Sequence, residues 1–340
     1  MNDAPIEVLI TMAFNEAQMA ILEAISPRVR FTLHPVRRTE EITAEEWARM
    51  EILYTDRMLP NPSQAPRLRW IQFHYAGIDF AADSPILHKP ELVATTLSGA
   101  AAPQIAEFAL MMMLALGHRL PDLYANQQKA EWPRDRWERF SPLEMRGATV
   151  GLVGYGSISR EIARLLQPLQ ATVLAAKRDV MHPQDTGYTP EGIGDPEGNL
   201  FSRLYPIQAL KSMLKECDFV VVAVPLSPLT RGLLGAEELA VMQPTAFLID
   251  FSRGGIVDQA ALTDFLVNKK LAGAALDVFP EEPLPQSNQL WRLPNVILTP
   301  HIGGVSPRYM DRAAELFAEN LRRYVEGESL YNRFDVERGY

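Results

Sequence analysis

This 340-residue chain has a single cysteine, Cys217, which excludes an internal disulfide and any metal cluster built on several thiolates. No metal site is expected, a reducing cytoplasmic setting suits the composition, and Cys217 reads as a half-buried thiol ahead of a strand. Positive charge is also scarce: the formal net charge is -9 and no Lys/Arg run exceeds two residues. Neither nucleic acid nor an anionic membrane is therefore an expected partner. Long apolar runs are missing as well. The most apolar stretch, Ala100 to Leu120, is interrupted by Gln104, Glu107 and His118, so it reads as a buried helix, packed in a core or between subunits, and not as a membrane span. At the start, Asp3 stands where a signal peptide carries positive charge and no long apolar core follows, so nothing here directs export.

What is present is a folded-protein composition on a chain too long for one ordinary core, which predicts two domains. Short apolar runs alternate with helical patterns: "IEVLITM", then "NEAQMAILEAI" behind an Asn15 cap, then "VRFTLHPV". Thr43 and Glu46 in "TAEEWARM" have capping-box spacing, and "EILYT", "LRWIQFH" and "ELVATTL" follow as strands. A second series runs through "ATVGLVGYG", "ATVLAA", "CDFVVVAVP", "TAFLIDFS", "AGAALDVF" and "NVILTPHIGG". Continuous apolar strands alternating with helices predict α/β architecture with parallel sheets covered on both faces. Residues 179–206, rich in Gly and Pro, are expected to form a long loop that is either functional or mobile. A last amphipathic helix, about Pro307 to Val325, is placed to return to the first lobe.

"VGLVGYGSIS" follows a predicted strand and opens a helix, with Gly154, Gly156 and Ser159 at the G-x-G-x-x-G positions. The first two glycines allow a tight turn and close approach of a pyrophosphate to a helix N-terminus, while serine is small enough for the third. An acid is due about 20 residues on, at the next strand's tip, to bind the ribose 2′-hydroxyl. Lys177 stands there, followed by Arg178. That pair offers a 2′-phosphate two charge-assisted partners, so NADP(H) is the expected cofactor, with NAD(H) as the alternative. In that alternative both cations are solvated and Asp179 reaches the ribose.

Three later strand ends carry Arg253, Asp277 with Glu282, and His301. An arginine on a Gly-flanked turn can hold a carboxylate through two parallel hydrogen bonds, and a His paired with a carboxylate can protonate a carbonyl oxygen. Singly, Arg253 reads as a surface ion pair, Glu282 as a solvated acid and His301 as a turn histidine. Together, behind a dinucleotide turn, they suit anchoring a 2-oxo acid and protonating its carbonyl as hydride arrives.

With those motifs, and with "VPLSPLTRGLLGAEELAVMQPTAFLIDFSRGGIVDQAAL", the chain resembles the D-isomer-specific 2-hydroxyacid dehydrogenases, most strongly from Ala148 to Gly304. The resemblance implies an NAD(P)-dependent reductase of small 2-oxo acids, similar in character to NADPH-using glyoxylate and hydroxypyruvate reductases. It implies a Rossmann-like and a flavodoxin-like lobe: a substrate domain of residues 1–98 plus 306–340, and a dinucleotide domain of residues 99–305. His301 would be the general acid/base, Glu282 its partner, and Arg253 the substrate-orienting residue, with Ala76 and Gly77 offering N–H groups to the substrate carboxylate. The cofactor would lie along Gly154, Tyr155, Gly156, Ser157 and Ile158, with Lys177 and Arg178 at its adenosine end. Val224, Pro225, Phe251, Ser252, Arg253, His301, Gly303 and Gly304 would complete that site, and Asp277 would meet the nicotinamide carboxamide. A homodimer made through the nucleotide lobes is expected, with the apolar helix after Ala100 in the contact. His74 and Tyr75 either line the substrate pocket or pack beneath it. Family members often have Asn at Asp250, Gly at Ser159 and an acid at Lys177. A dinucleotide-sensing binding protein of the same fold, similar to the C-terminal-binding-protein corepressors, is the alternative, because those proteins keep similar residues.

Overall fold

The computed structural model describes residues 4–336 and 338–339, so Asp3 lies outside the described residues. The chain divides into two compact units. Unit 1 comprises Met1–Ala101, Thr186–Tyr188 and Ser306–Tyr340, and unit 2 comprises Ala102–Asp185 and Thr189–Val305.

In unit 1 five parallel strands, β1 (Ile6–Ile10), β2 (Val29–Leu33), β3 (Ile52–Thr55), β4 (Trp70–Phe73) and β5 (Val93–Thr95), are ordered β2-β1-β3-β4-β5. This is the flavodoxin-like order. Successive strand residues point to opposite faces, and both faces are covered. Ile52, Tyr54 and Trp70 enter one core with Phe317 and Leu321 of the last helix, Tyr309–Glu326, whereas Leu53, Ile71 and Phe73 enter the other. That helix belongs to unit 1 because Ala313, Ala314, Leu316 and Phe317 lie on one buried stripe against Leu22 of the helix Glu16–Glu23. Both expected caps form: Asn15 Oδ1 accepts the Gln18 N–H at 2.9 Å, and Thr43 Oγ accepts the Glu46 N–H at 3.2 Å.

In unit 2 a seven-stranded parallel sheet is ordered β12-β11-β10-β9-β6-β7-β8. Its strands are β6 (Thr149–Val153), β7 (Thr172–Lys177), β8 (Arg203–Pro206), β9 (Phe219–Val222), β10 (Phe247–Asp250), β11 (Gly273–Leu276) and β12 (Val296–Leu298). Both faces are buried, so β9 must be apolar throughout: Val220 and Val222 face one core, Phe219 and Val221 the other. The helix Ala102–Gly117 covers the second face with Ala106, Ala109, Met113 and Leu116, which makes it a core helix of this unit. Among the described residues no helix is long and apolar enough to cross a membrane.

Two expectations are corrected. The segment 179–206 is not all loop, since its last four residues form β8, paired in parallel with β7. Nor is Cys217 half-buried: it is fully enclosed, its Sγ donates to the Met213 carbonyl at 3.1 Å, and burial pushes the thiol up to about 12. It packs so closely on β6 that a Cβ added at Gly151 would lie 2.4 Å from its sulfur.

Candidate functional site

Sheet register gathers the candidate residues of unit 2. Val153, Val222, Asp250, Leu276 and Leu298 are aligned neighbours at the carboxyl ends of β6, β9, β10, β11 and β12. Gly154, Val224, Arg253, Asp277 and His301 each follow one of those ends by one to three residues, so all five emerge along one edge. Ligands of open α/β sheets bind at that edge, where strand order reverses. Here the reversal falls between β6 and β9, which flank each other although β7 and β8 intervene in sequence.

At the reversal, Gly154 has φ +93°, and an added Cβ would come 2.6 Å from the Ala223 carbonyl oxygen. No side chain fits there. Gly156 caps the helix Ser157–Leu166, and a Cβ built on it meets nothing within 4 Å, so its surroundings are open. A tight first glycine and an open second one at a helix N-terminus suit a dinucleotide pyrophosphate. Ser159, in the third position, is fully buried, and its hydroxyl has no hydrogen-bond partner among the described residues, as befits a packing position.

His301 lies in a left-handed backbone conformation, φ +53°. Asp277 pins this turn: its buried carboxylate accepts the Thr299 hydroxyl at 2.6 Å and the Ile302 and Gly303 N–H groups at 2.9 and 2.8 Å. Glu282 Oε2 lies 2.8 Å from His301 Nδ1, while Glu282 Oε1 accepts the Phe279 N–H at 2.9 Å. The carboxylate is thus held by backbone on one side and presented to the imidazole on the other. Arg253 Nη1 donates to the Ser252 carbonyl at 2.8 Å. Gly254 beside it touches the Phe279 backbone so closely that a Cβ would lie 2.0 Å from that carbonyl oxygen. The Arg253 turn and the Glu282 loop are therefore packed directly together.

Below Arg253, Asp250 is fully buried and accepts the Ser252 hydroxyl at 2.5 Å and the Ser252 N–H at 3.0 Å. Burial lifts its carboxyl to about 6, with Asp277 adding to the rise and the two Ser252 hydrogen bonds opposing it.

At the tip of β7, Lys177 Nζ donates to the His182 carbonyl at 2.6 Å, which leaves two of its three donors. Burial, with Arg160 nearby, lowers its pKa. Arg178 is exposed. Asp179 is occupied locally, accepting the Met181 N–H at 3.0 Å and facing His182 Nδ1 at 2.8 Å.

The chain between β7 and β8 is organised by Arg160 and Asp195, which no local pattern singled out, together with Tyr155, expected along the cofactor. Arg160, 2% exposed on the helix after the glycine turn, donates to the carbonyls of Asp195 and Pro183, each at 2.5 Å, and faces Asp185 at 3.4 Å. Its guanidinium stacks over Tyr155, whose hydroxyl donates to Asp195 at 2.6 Å. Asp195 also accepts the N–H groups of Gly198, Asn199 and Leu200. Burial raises the Asp195 pKa, yet the Tyr155 hydroxyl, the Leu200 and Asn199 N–H groups and Arg160 outweigh it and hold the carboxyl below its ordinary value. The side chain of Tyr155, in the middle of the glycine turn, is thus a loop anchor.

In unit 1, Ala76 and Gly77 follow the end of β4. Among the described residues neither of their N–H groups donates a hydrogen bond within the protein. His74 is buried, with Nδ1 2.7 Å from the Tyr54 hydroxyl, and burial lowers its pKa to about 4; Tyr75 is 40% exposed. His74 packs beneath this turn, and Tyr75 lies on its surface.

Residues 110–303 match the NAD binding domain of the D-isomer specific 2-hydroxyacid dehydrogenases. The chain belongs to this family. Glyoxylate reductase of Thermococcus gammatolerans is 34% identical over 268 residues, which cover 78% of this chain and 75% of that one. D-3-phosphoglycerate dehydrogenase of Methanocaldococcus jannaschii is 30% identical over 269 residues, 79% of this chain, but the chain spans only about half of that relative, 48%. Among solved structures, a D-isomer specific 2-hydroxyacid dehydrogenase from Xanthobacter autotrophicus Py2, in complex with NADPH and MES, superposes with TM-score 0.78 at 27% identity, covering 99% of this chain and 100% of that one. As a 2-hydroxyacid dehydrogenase the chain is an oxidoreductase whose cofactor is a nicotinamide dinucleotide.

Proposed function

We propose that this 2-hydroxyacid dehydrogenase reduces small 2-oxo acids of the glyoxylate and hydroxypyruvate type to D-2-hydroxy acids, with NADP(H) preferred over NAD(H). The observation that carries the reading is the His301–Glu282 pair at the sheet edge that also bears the glycine turn. A nicotinamide dinucleotide, when bound, would supply the hydride that reduces the carbonyl. Glu282 fixes the imidazole orientation through Nδ1, so Nε2 delivers the proton to the carbonyl oxygen. Arg253 binds and orients the substrate, and the Ala76 and Gly77 N–H groups take its carboxylate; unit 1 is read as the substrate domain and unit 2 as the dinucleotide domain, which also carries Arg253 and His301. Gly154 to Ile158 receive the pyrophosphate.

Supporting NADP(H) are Lys177 and Arg178 at the β7 tip and the engagement of Asp179 by its own turn. The active form is read as a homodimer made through unit 2. The test is the initial rate of NADPH and NADH oxidation on glyoxylate, hydroxypyruvate, pyruvate and phenylpyruvate. Faster NADPH oxidation is expected. Preference for NADH would remove the phosphate role of the Lys-Arg pair, and binding without turnover on any substrate would favour a dinucleotide sensor.

A further inference from the structure

Beside Ala76 and Gly77, unit 1 carries a cationic and aromatic cluster that the reaction itself does not require. β3 and β4 are parallel neighbours with Thr55 opposite Phe73, and the His74 N–H continues the pairing to the Thr55 carbonyl at 2.7 Å. Such strands run about 4.8 Å apart. Arg57, two residues past β3, and Tyr75–Ala76–Gly77, just past β4, therefore leave the sheet side by side.

The Arg57 turn is preorganised. Thr55 Oγ, buried and bonded to the Thr11 hydroxyl, accepts the Met58 N–H at 2.9 Å. Asp56 Oδ1 accepts the Arg57 backbone N–H at 2.6 Å. The nearest acid in sequence is thus engaged by backbone, and among the described residues no carboxylate forms an ion pair with the Arg57 guanidinium. That guanidinium lies 4.9 Å from the centre of the Phe80 ring, and Phe80 stacks edge-on against Phe73 at 6.3 Å. Phe80 and Tyr75 remain 41% and 40% exposed. Burial and Asp56 raise the Tyr75 phenol's pKa while Arg57 opposes them, so the cation is within electrostatic reach of that ring as well.

An arginine held over one aromatic ring, near a second and close in the sheet to two N–H groups that donate to no acceptor among the described residues, matches a ligand with two acidic ends. We propose that Arg57 is a specificity-determining residue that binds a second anionic group, carboxylate, sulfonate or phosphate, on the side chain of the 2-oxo acid. This rests on the reading that the Ala76 and Gly77 N–H groups take the first carboxylate. Uncharged and aromatic side chains would meet the same ring edges without a partner for the cation.

The test compares 2-oxo acids of equal chain length with and without the second acid, oxaloacetate against 2-oxobutanoate and 2-oxoglutarate against 2-oxopentanoate, on the full chain and on R57Q and R57K. The dianions are expected to be favoured by about 10- to 100-fold in kcat/KM, as one charge-assisted pair allows. In R57Q that preference disappears through KM with kcat little changed, and R57K restores part of it. Equal kcat/KM within each pair, or a preference that survives R57Q, overturns the proposal. Calorimetric binding of oxaloacetate and 2-oxobutanoate is read in parallel. Charge-selective binding that R57Q abolishes supports the anion site even if no 2-oxo acid is turned over, a result that would overturn only the reductase reading. Binding without charge selectivity overturns the anion site.

Discussion

Glu282 is divided between two partners: one carboxylate oxygen accepts the Phe279 N–H at 2.9 Å, and the other lies 2.8 Å from Nδ1 of His301. The acid is anchored before it meets the imidazole, and Asp277 independently pins the turn that carries His301. His301→Gln is therefore expected to fold and bind cofactor normally but to lose about 10²- to 10⁴-fold in turnover, the range of general acid catalysis. Single-turnover rates with fluorescence titration of NADPH would separate the two effects. Turnover near wild type in this variant would sink the proton-transfer role.

The two glycines of the dinucleotide turn should fail differently. Gly154→Ala places a Cβ 2.6 Å from the Ala223 oxygen at φ +93°, so a loss of several degrees in Tm is expected without any ligand. Gly156→Ala meets no protein atom, so its Tm should hold while dinucleotide affinity falls. Calorimetry on the free proteins and titration with NADPH check both. Equal destabilisation by the two changes would contradict the assignment.

Asp195 is the hub of the chain between β7 and β8. Asp195→Asn leaves one acceptor oxygen for the Tyr155 hydroxyl and three N–H groups, so a cost of about 1–3 kcal/mol is expected. The damage should be local, read as new protease cleavage between residues 179 and 202. A cleavage pattern unchanged from wild type would show that the loop is held by other means.

Asp250 provides a pH signature. Its carboxyl titrates at about 6 in the folded protein against 3.8 ordinarily, because burial disfavours its charge. The native state then binds the proton more readily than the unfolded chain, so stability falls as pH rises between those values and the penalty is constant above about 6. Asp250→Asn keeps an acceptor for Ser252 and carries no charge. Its Tm should exceed wild type near pH 8, and the difference should shrink toward pH 4.5. A difference independent of pH would refute the buried-charge account.

Local pattern was enough to read most of this molecule. Apolar runs such as "FVVV" mark strands buried on both faces, Asn15 and Thr43 mark helix starts, and the glycine turn reads directly as a strand-to-helix connection. Because parallel strands end in register, even the common edge of Arg253, Asp277 and His301 follows from counting residues past each strand. What pattern could not reach depends on partners far apart in sequence. Arg160 meets carbonyls 23 and 35 residues away, Asp277 meets donors 22 to 26 residues on, and Tyr188 donates its N–H to Asn332 within unit 1. Such bonds impose no period on the sequence. A buried guanidinium must be satisfied somewhere, but which carbonyls satisfy it is decided only when the chain has closed around it, and the Gly- and Pro-rich segment after β7 takes its order from that closure.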